Sequence, residues 1–222
     1  MEIQFADEPL DKKPNLYKLY NCSTDTKSTG FTHLMKLVLQ GKHVAKEESL
    51  LYDLITSNVN DINEQNDAGW TALMIACRNS NTYSSIEIVR LLLDHPDIDI
   101  NKQENDEWTA LMFACRYSNK DSNIETVRLL LSQPNIDINR QTKNGSTALA
   151  LACKNGNADS NIETVKLLLN HPDINISKER QCSLIMACAC SNTCSSIEIV
   201  KILLNHPDID INKQEKDGWT AL

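Results

Sequence analysis

Hydrophobic and polar positions recur in blocks along this 222-residue chain. The string Trp70-Thr71-Ala72-Leu73 returns as Trp108-Thr109-Ala110-Leu111 and as Ser146-Thr147-Ala148-Leu149, each 38 residues after the last. One further unit, three residues shorter, leads to a last copy that ends at Leu222. Self-similarity at a fixed period is the signature of stacked repeats. The sequence therefore predicts an array of small units with a shared core.

Each unit divides into two segments of helical character. The first is short, as in Thr71 to Arg78, and has small residues at its inner positions. The second begins with Ser-Xaa-Ile-Glu, as in Ser84 to Glu87, which is the spacing of a capping box with the serine as N-cap. A proline such as Pro96 ends this helix near His95. The alternating isoleucines and aspartates that follow predict a short extended arm with the isoleucines facing inward.

The repeated residues resemble those of a known family. Thr-Ala-Leu-Met-Xaa-Ala-Cys, beginning at Thr71, is similar to the Thr-Pro-Leu-His-Xaa-Ala-Ala of ankyrin repeats, and the Val-Arg-Leu-Leu-Leu helix resembles their second helix. The resemblance runs from about Gly30 to the C-terminus. It implies an all-α ankyrin-repeat helical solenoid with short hairpin or extended connections. The units exceed the family's length of about 33 residues, with most of the excess around Asn81 to Ser84.

Asn/Asp/Ile-rich units of this length are also similar to the arrays encoded by large DNA viruses and some protists. The family's proline and histidine are replaced here by Ala72 and Met74, which puts in doubt a polar contact between repeats that is typical of the family.

The register of the repeats predicts the organisation of the chain. The first 27 residues carry no repeat, and the next unit has lysines such as Lys36 where later units are apolar or neutral, as expected for a terminal cap with a polar face. The expected divisions are an N-terminal extension at 1–27, a degenerate capping repeat at 28–63, full repeats at 64–101, 102–139, 140–175 and 176–212, and a partial unit at 213–222.

The fourth full repeat is the irregular one. Arg180 and Cys182 stand where other units have the equivalents of Gly69 and Thr71, and the unit has lost three residues before Cys182. A tight turn without glycine makes a positive φ costly. We therefore expect a shortened, distorted hairpin here and the weakest internal junction of the array. Leu222 lies just inside another first helix, so the sequence leaves open whether the array continues.

Composition narrows the classes of partner. The formal net charge of −8 argues against a nucleic acid or an anionic membrane as the main partner. No apolar stretch approaches the roughly 18 to 20 residues that span a bilayer. Eight cysteines without an export signal indicate reduced thiols and a cytoplasmic or nuclear location, in a host cell if the protein is viral. We expect a monomer that binds a protein.

Cysteines and histidines are the candidates for chemistry. Cys77, Cys115, Cys153 and Cys188 occupy one repeat position and are interpreted as core packing. Cys182, Cys190 and Cys194 occur in the fourth full repeat only, and unpaired thiols are a better interpretation than a zinc site, which needs four convergent ligands. His95, His171 and His206 precede prolines, where a helix C-terminus favours them.

No phosphate loop, metalloprotease motif or nucleophile elbow is present. We therefore predict that the chain binds no metal and no cofactor. We also predict that it is not an enzyme, unless catalytic residues lie in 1–27 or beyond Leu222.

The resemblance implies a protein-interaction module that holds its partner on a concave face made of hairpin tips and first helices. A substrate-recruiting adaptor is the alternative within this class. The predicted contact residues are aromatic and arginine side chains of the kind enriched at binding hot spots, with one asparagine: Trp70, Arg78, Asn79, Trp108, Arg116 and Tyr117. The competing interpretation is that each tryptophan packs on the neighbouring hairpin and only stabilises the stack.

Overall fold

A computed structural model gives the fold, which in its described part consists of short α-helices joined by turns and irregular segments. The structure describes residues 30–40, 45–56, 62–82, 84–118, 122–154, 159–178, 183–190, 197–215 and 218–221. The N-terminal extension therefore lies outside the described residues.

Ten α-helices in these ranges form five antiparallel pairs, one pair for each repeat unit. The first helices of the pairs are α1 (His33–Gln40), α3 (Ala72–Arg78), α5 (Ala110–Tyr117), α7 (Ala148–Lys154) and α9 (Ser183–Cys190). The second helices are α2 (Ala45–Thr56), α4 (Ile86–Leu93), α6 (Ile124–Leu131), α8 (Asp159–Leu169) and α10 (Ile197–Leu204). The described ranges contain no β-strand, and the predicted all-α solenoid is confirmed.

The repeated threonine starts the first helices. Thr71 lies in extended conformation before α3, and its hydroxyl accepts a hydrogen bond from the N–H of Met74 at 3.2 Å. In return, the backbone N–H of Thr71 donates to the sulfur of Met74 at 3.5 Å. Thr109 and Met112 repeat the arrangement at α5. Methionine therefore supplies the acceptor of a reciprocal N-cap at the position where the family has histidine.

The predicted capping box at Ser84, and its copy one repeat later at Ser122, are wrong by one residue. The N-caps are Ser85 for α4 and Asn123 for α6, whose side chains accept from the N–H groups of Ile88 and Glu125. Ser84 and Ser122 are fully buried instead. The hydroxyl of Ser122 lies 3.3 Å from that of Ser80 in the preceding unit. Contact with the preceding unit, which the local pattern does not contain, therefore accounts for the burial of Ser122.

The core is continuous along the array. Alanines and cysteines of α3, α5 and α7, such as Ala76 and Cys77, are fully buried, and the isoleucines of the post-proline arms are buried or half-buried up to Ile209, whereas Ile211 is exposed. First helices approach one another more closely than second helices do. Because small residues permit that approach, the stack curves with the first helices on its inner side. This inner row and the hairpins form the concave face.

A file of asparagines connects the post-proline arms. The amide of Asn63 donates to the carbonyl of Asp97 at 2.7 Å, and its oxygen accepts from the N–H of Asp99 at 2.7 Å. Asn101 and Asn139 repeat both bonds to the unit that follows them. Each asparagine therefore satisfies one carbonyl and one N–H of the next arm, which keeps successive units in register.

The fourth full repeat departs from this pattern in its described part. Ile176–Lys178 forms a 3₁₀ turn in the connection that leads to α9. The ammonium of Lys213, from the next unit, donates to the carbonyl of Ser177 at 2.6 Å. Residues 179–182, where the sequence predicts the shortened hairpin, lie outside the described residues. The predicted weakness of this junction stays a prediction.

Candidate partner-binding surface

The hairpin turns place the predicted contact residues at the base of the first helices. In the turn at residues 66–70, the Asn66 side-chain oxygen accepts from the N–H groups of Ala68 and Trp70 at 3.1 and 2.9 Å. The N–H of Gly69 donates to the carbonyl of Asn66 at 2.8 Å. These bonds hold Trp70 directly before the N-cap Thr71. Its position is thus fixed by the turn.

The next hairpin makes the same turn with different residues. Glu104 replaces the asparagine, and one carboxylate oxygen accepts from the N–H groups of Asp106 and Trp108 at 2.9 and 3.0 Å. The other carboxylate oxygen is buried without a hydrogen-bond partner. Burial is the main cause that raises the pKa of Glu104 above its ordinary value, although the two backbone N–H groups oppose the shift.

Three aromatic rings pack together along the concave face. The ring of Phe113 lies 4.1 Å from that of Trp70, measured between centroids, and 5.1 Å from that of Trp108, with which it is stacked. Phe113 belongs to α5 and therefore brings together the tryptophans of two successive hairpins. Offset and tilted aromatic pairs at such distances are favourable beyond the area that they bury.

The two tryptophans differ in exposure, which corrects one part of the sequence interpretation. Trp70 is 1% exposed, because Phe113 of the next unit covers it, whereas Trp108 is half-buried. The residue that corresponds to Phe113 one unit later is Leu151, which is smaller. Trp70 cannot touch a partner without opening the stack, so we remove it from the predicted contact set. Trp108 stays in that set.

At the opposite end of the first helices, Arg78 and Asn79 are also buried. Arg78 is 4% exposed, and its guanidinium carbon lies 4.4 Å from the centre of the Tyr117 ring. The amide of Asn79 donates to the carbonyl of Ile75 at 2.7 Å and so closes the end of α3. Arg78 therefore packs on the next unit and Asn79 closes its own helix, and we remove both from the contact set. Arg116 and Tyr117 are half-buried and remain in it.

The repeated cysteines belong to the core. Cys77, Cys115 and Cys153 are fully buried, and Cys188 is half-buried. Burial raises the pKa of the Cys77 and Cys115 thiols far above the ordinary value. A buried thiol that stays protonated is a poor nucleophile, which agrees with the interpretation of these cysteines as core packing.

The described part of the chain contains neither a candidate metal-binding site nor a helix that could span a membrane. No group of three or more potential ligand side chains is placed there to hold a metal ion. The side chains of Cys182, Cys190 and Cys194 lie outside the described residues. Among the described helices, none has the length and apolar character that a bilayer crossing needs.

The repeated histidines have a structural role. The Nδ1 atoms of His95, His171 and His206 each accept a hydrogen bond from the backbone N–H two residues later, at 3.2 to 3.3 Å. Each bond closes the turn after a second helix and spans the proline. This geometry explains the repetition of the histidine without a catalytic role.

Comparison with known proteins agrees with this architecture. A profile of the family described as "Ankyrin repeats (3 copies)" matches residues 13–142 and 120–215. The chain therefore belongs to the ankyrin-repeat family, whose repeats are generally protein-interaction modules.

Its curated relatives include proteins of Acanthamoeba polyphaga mimivirus. The putative ankyrin repeat protein L91 is 38% identical over 96 residues, which cover 41% of this chain and 15% of that protein. The putative ankyrin repeat protein L122 is 41% identical over 63 residues, which cover 28% of this chain and 10% of that protein. The chain thus spans only a small part of the length of these relatives. The predicted similarity to arrays of large DNA viruses is confirmed.

Solved structures share the fold. One chain of the complex between the Bd0816 predatory endopeptidase of Bdellovibrio bacteriovorus and the immunity protein Bd3460 superimposes with a TM-score of 0.64 at 21% identity, covering 87% of this chain and 90% of that chain. The ankyrin repeat domain of Bcl-3, a member of the IkappaB family, gives 0.61 at 25% identity, with coverage of 78% and 70%. The first likeness shows the fold alone.

Proposed function

We propose that this chain binds a protein partner on its concave face, with Trp108, Arg116 and Tyr117 among the contact residues. The main observation in support of the proposal is that the indole of Trp108 is half-buried and stacks on the ring of Phe113. A rigid aromatic side chain that keeps part of its surface in water loses little conformational entropy on binding. Aromatic and arginine side chains of this kind dominate the energetics of protein interfaces.

The family and its relatives support this function. Ankyrin repeats are generally interaction modules, and one fold neighbour comes from a complex of two proteins. Because the relatives named above are viral, we propose that the chain acts inside an infected cell as a scaffold or as an adaptor that recruits a substrate to a larger assembly. We propose a monomer that binds neither nucleic acid nor membrane and catalyses no reaction.

Affinity capture with matched variants tests the proposal. The tagged chain is incubated with an Acanthamoeba lysate, and captured proteins are quantified by mass spectrometry against Trp108→Ser, Tyr117→Ala and Lys166→Ala. Lys166 is exposed on the second helix α8, away from the concave face, and serves as the control. We expect a partner that the wild type and the Lys166 variant retain and that both concave-face variants lose. Equal capture by all four chains would refute binding through this face.

A further inference from the structure

An open groove lies between the second helices of the first two units, on the side of the array opposite to the concave face. Its volume is about 320 Å³, and its floor is apolar, with Leu51 of α2 beside Ile88 and Leu91 of α4. Pockets that take a drug-sized ligand measure about 300–1,000 Å³. The groove therefore has room for a few side chains of a short segment and not for a folded domain.

Tyr52 distinguishes this groove from the outer surface of the later units. Its side chain lines the groove and is 56% exposed. The later units have a cation at this repeat position: Arg90, Arg128, Lys166 and Lys201. At the junction of α6 and α8, Arg128 forms an ion pair with Glu163 at 2.7 Å, which spans the two helices. The first junction has Tyr52 and Glu87 at these positions, so an aromatic ring replaces the salt bridge.

The rim of the groove is acidic overall. Glu87 and Asp94 of α4 are exposed, Arg90 lies between them on the same helix, and Asp53 follows Tyr52 on α2. In the part of the chain that the structure describes, no ion pair engages any of these four charged side chains. Three carboxylates therefore outweigh one guanidinium. A segment that combines apolar side chains with an excess of lysine is complementary to this surface.

The N-terminal extension contains a segment of that character. Residues 11–20 include three lysines and one aspartate, although the chain as a whole has 22 basic and 30 acidic residues. Leu16, Leu19 and Tyr20 have the i, i+3, i+4 spacing that brings three side chains onto one face of a helix. Lys12 and Lys13 come directly before these residues. The segment is therefore basic and has the spacing of an apolar face.

The connection from this segment to the first unit is long enough to reach the groove. Ten residue steps separate Tyr20 from Gly30, the first described residue. An extended chain of that length covers up to about 33–36 Å. The groove is reached by passing around α2, and a helix is about 10–12 Å in diameter, so a path of roughly 20–25 Å is sufficient.

We propose that residues 14–20 of this chain dock in the groove between α2 and α4, with Leu16, Leu19 and Tyr20 against its apolar floor. Lys12 and Lys13 then face the carboxylates of the rim. The contact covers Tyr52 and joins the first two units from outside, so the extension stabilises the end of the array. It lies on the outer row and is independent of the partner site proposed on the concave face.

Hydrogen exchange of the full chain, measured by mass spectrometry, tests the contact. A synthetic peptide of residues 11–22 gives the exchange rates of the free segment. We expect the segment in the full chain to exchange at least about tenfold more slowly than the peptide, because docked amides exchange only when the contact opens. Tyr52→Arg, which supplies the residue type of the later units, and Leu19→Asp should each restore rates within about twofold of the peptide.

Two controls match these variants. Phe5→Asp places the same charge in the extension but outside the segment, and Glu198→Lys reverses the acid that corresponds to Glu87 on α10. Neither control should change the rates. Glu87→Lys should raise them about threefold or more, because it places a cation beside the lysines of the segment. Thermal melting of each variant checks that the fold is kept.

Carbodiimide cross-linking separates an intramolecular contact from one between two copies of the chain. The reagent joins lysines to carboxylates, and the sample is an equal mixture of ¹⁵N-labelled and unlabelled full chains. We expect links from Lys12 or Lys13 to Glu87 or Asp94 within chains of one isotope. Links between the two isotopes would mean that the groove takes the segment of a second copy, and the inference would be wrong.

Two results of the exchange experiment also overturn the inference. Equal rates for the segment in the wild-type chain and in the free peptide would show that residues 14–20 are not docked. Slow exchange that persists in both Tyr52→Arg and Glu87→Lys would show that the segment packs on another surface of the array.

Discussion

The hairpins at residues 65–71 and 103–109 make the same turn, but their tryptophans differ in solvent exposure. The first has Asn66 and Gly69, and its tryptophan is 1% exposed. The second has Glu104 at the turn-capping position and Glu107, with φ of 65°, at the glycine position, and its tryptophan is half-buried. In the first hairpin a neutral side chain accepts the hydrogen bonds of the turn's backbone N–H groups, and the indole is buried in the core. In the second hairpin, Glu107 has a strained positive φ and the carboxyl of Glu104 is buried. The indole of Trp108 is partly exposed to solvent.

The largest expected effect separates the two tryptophans. Trp70→Ser should lower the free energy of unfolding by about 3–5 kcal/mol, the usual loss when a buried large aromatic is truncated. Trp108→Ser should cost no more than about half as much, since Ser146 occupies the same slot in the next unit. Urea unfolding followed by circular dichroism measures both. Similar losses for the two variants would show that Trp108 also serves mainly to stabilise the stack.

The second prediction concerns the close approach at Gly69. Its φ is +82°, and a Cβ there would lie 2.7 Å from the backbone nitrogen of Asn105 in the next hairpin. Gly69→Ala should therefore destabilise by about 3 kcal/mol, because both the backbone strain and a backbone clash oppose it. Gly218→Ala is the matched control, with a φ of +82° and no atom within 4 Å of the added Cβ. Equal losses for the two variants would mean that strain alone matters.

The third prediction uses the strain in the other hairpin. Glu107 adopts the left-handed conformation that glycine prefers. Glu107→Gly should raise the free energy of unfolding by about 0.5–1 kcal/mol, because relief of strain exceeds the added entropy of the unfolded chain. Thermal melting measures the gain. A loss of stability would show that the Glu107 side chain makes a contact worth more than the strain.

The smallest effect depends on pH. The pKa of Glu104 is higher in the folded protein than in the unfolded chain, mainly because of burial, so folding favours its protonated form. This contribution to stability is present below the unfolded pKa, about 4.3, and is lost as the pH rises through the folded pKa. Glu104→Gln should thus be as stable as the wild type in acid and slightly more stable at neutral pH. A constant difference across this range would contradict the role of ionisation.

Much of the fold was predictable because it depends on short stretches of sequence. In four of the five units the first helix begins after a threonine, as at Thr71, and in four of them the second helix ends before a proline such as Pro96. The repeat period placed Cys77 and its equivalents in the core. Local rules failed at Ser84, which is fully buried, and the N-cap of α4 is Ser85.

The contact residues were only partly predictable. Arg78 and Asn79 have the residue types and the position of surface contacts, and the structure buries both. Tyr117 of the next unit covers Arg78, so a residue 39 positions away decided its exposure. A large residue about one repeat later in the sequence, such as Tyr117 for Arg78, would have indicated which side chains are covered by the next unit.

The sequence by itself determined the repeat and the helix pairs, because both follow from the order of residues within one unit. Only the tertiary structure decided which tryptophan is exposed enough to contact a partner. Phe113 covers the ring of Trp70, whereas the smaller Leu151 stands at the corresponding position one unit after Trp108. The physical reason is that, in a stacked array, the exposure of a side chain depends on the facing surface of the next unit.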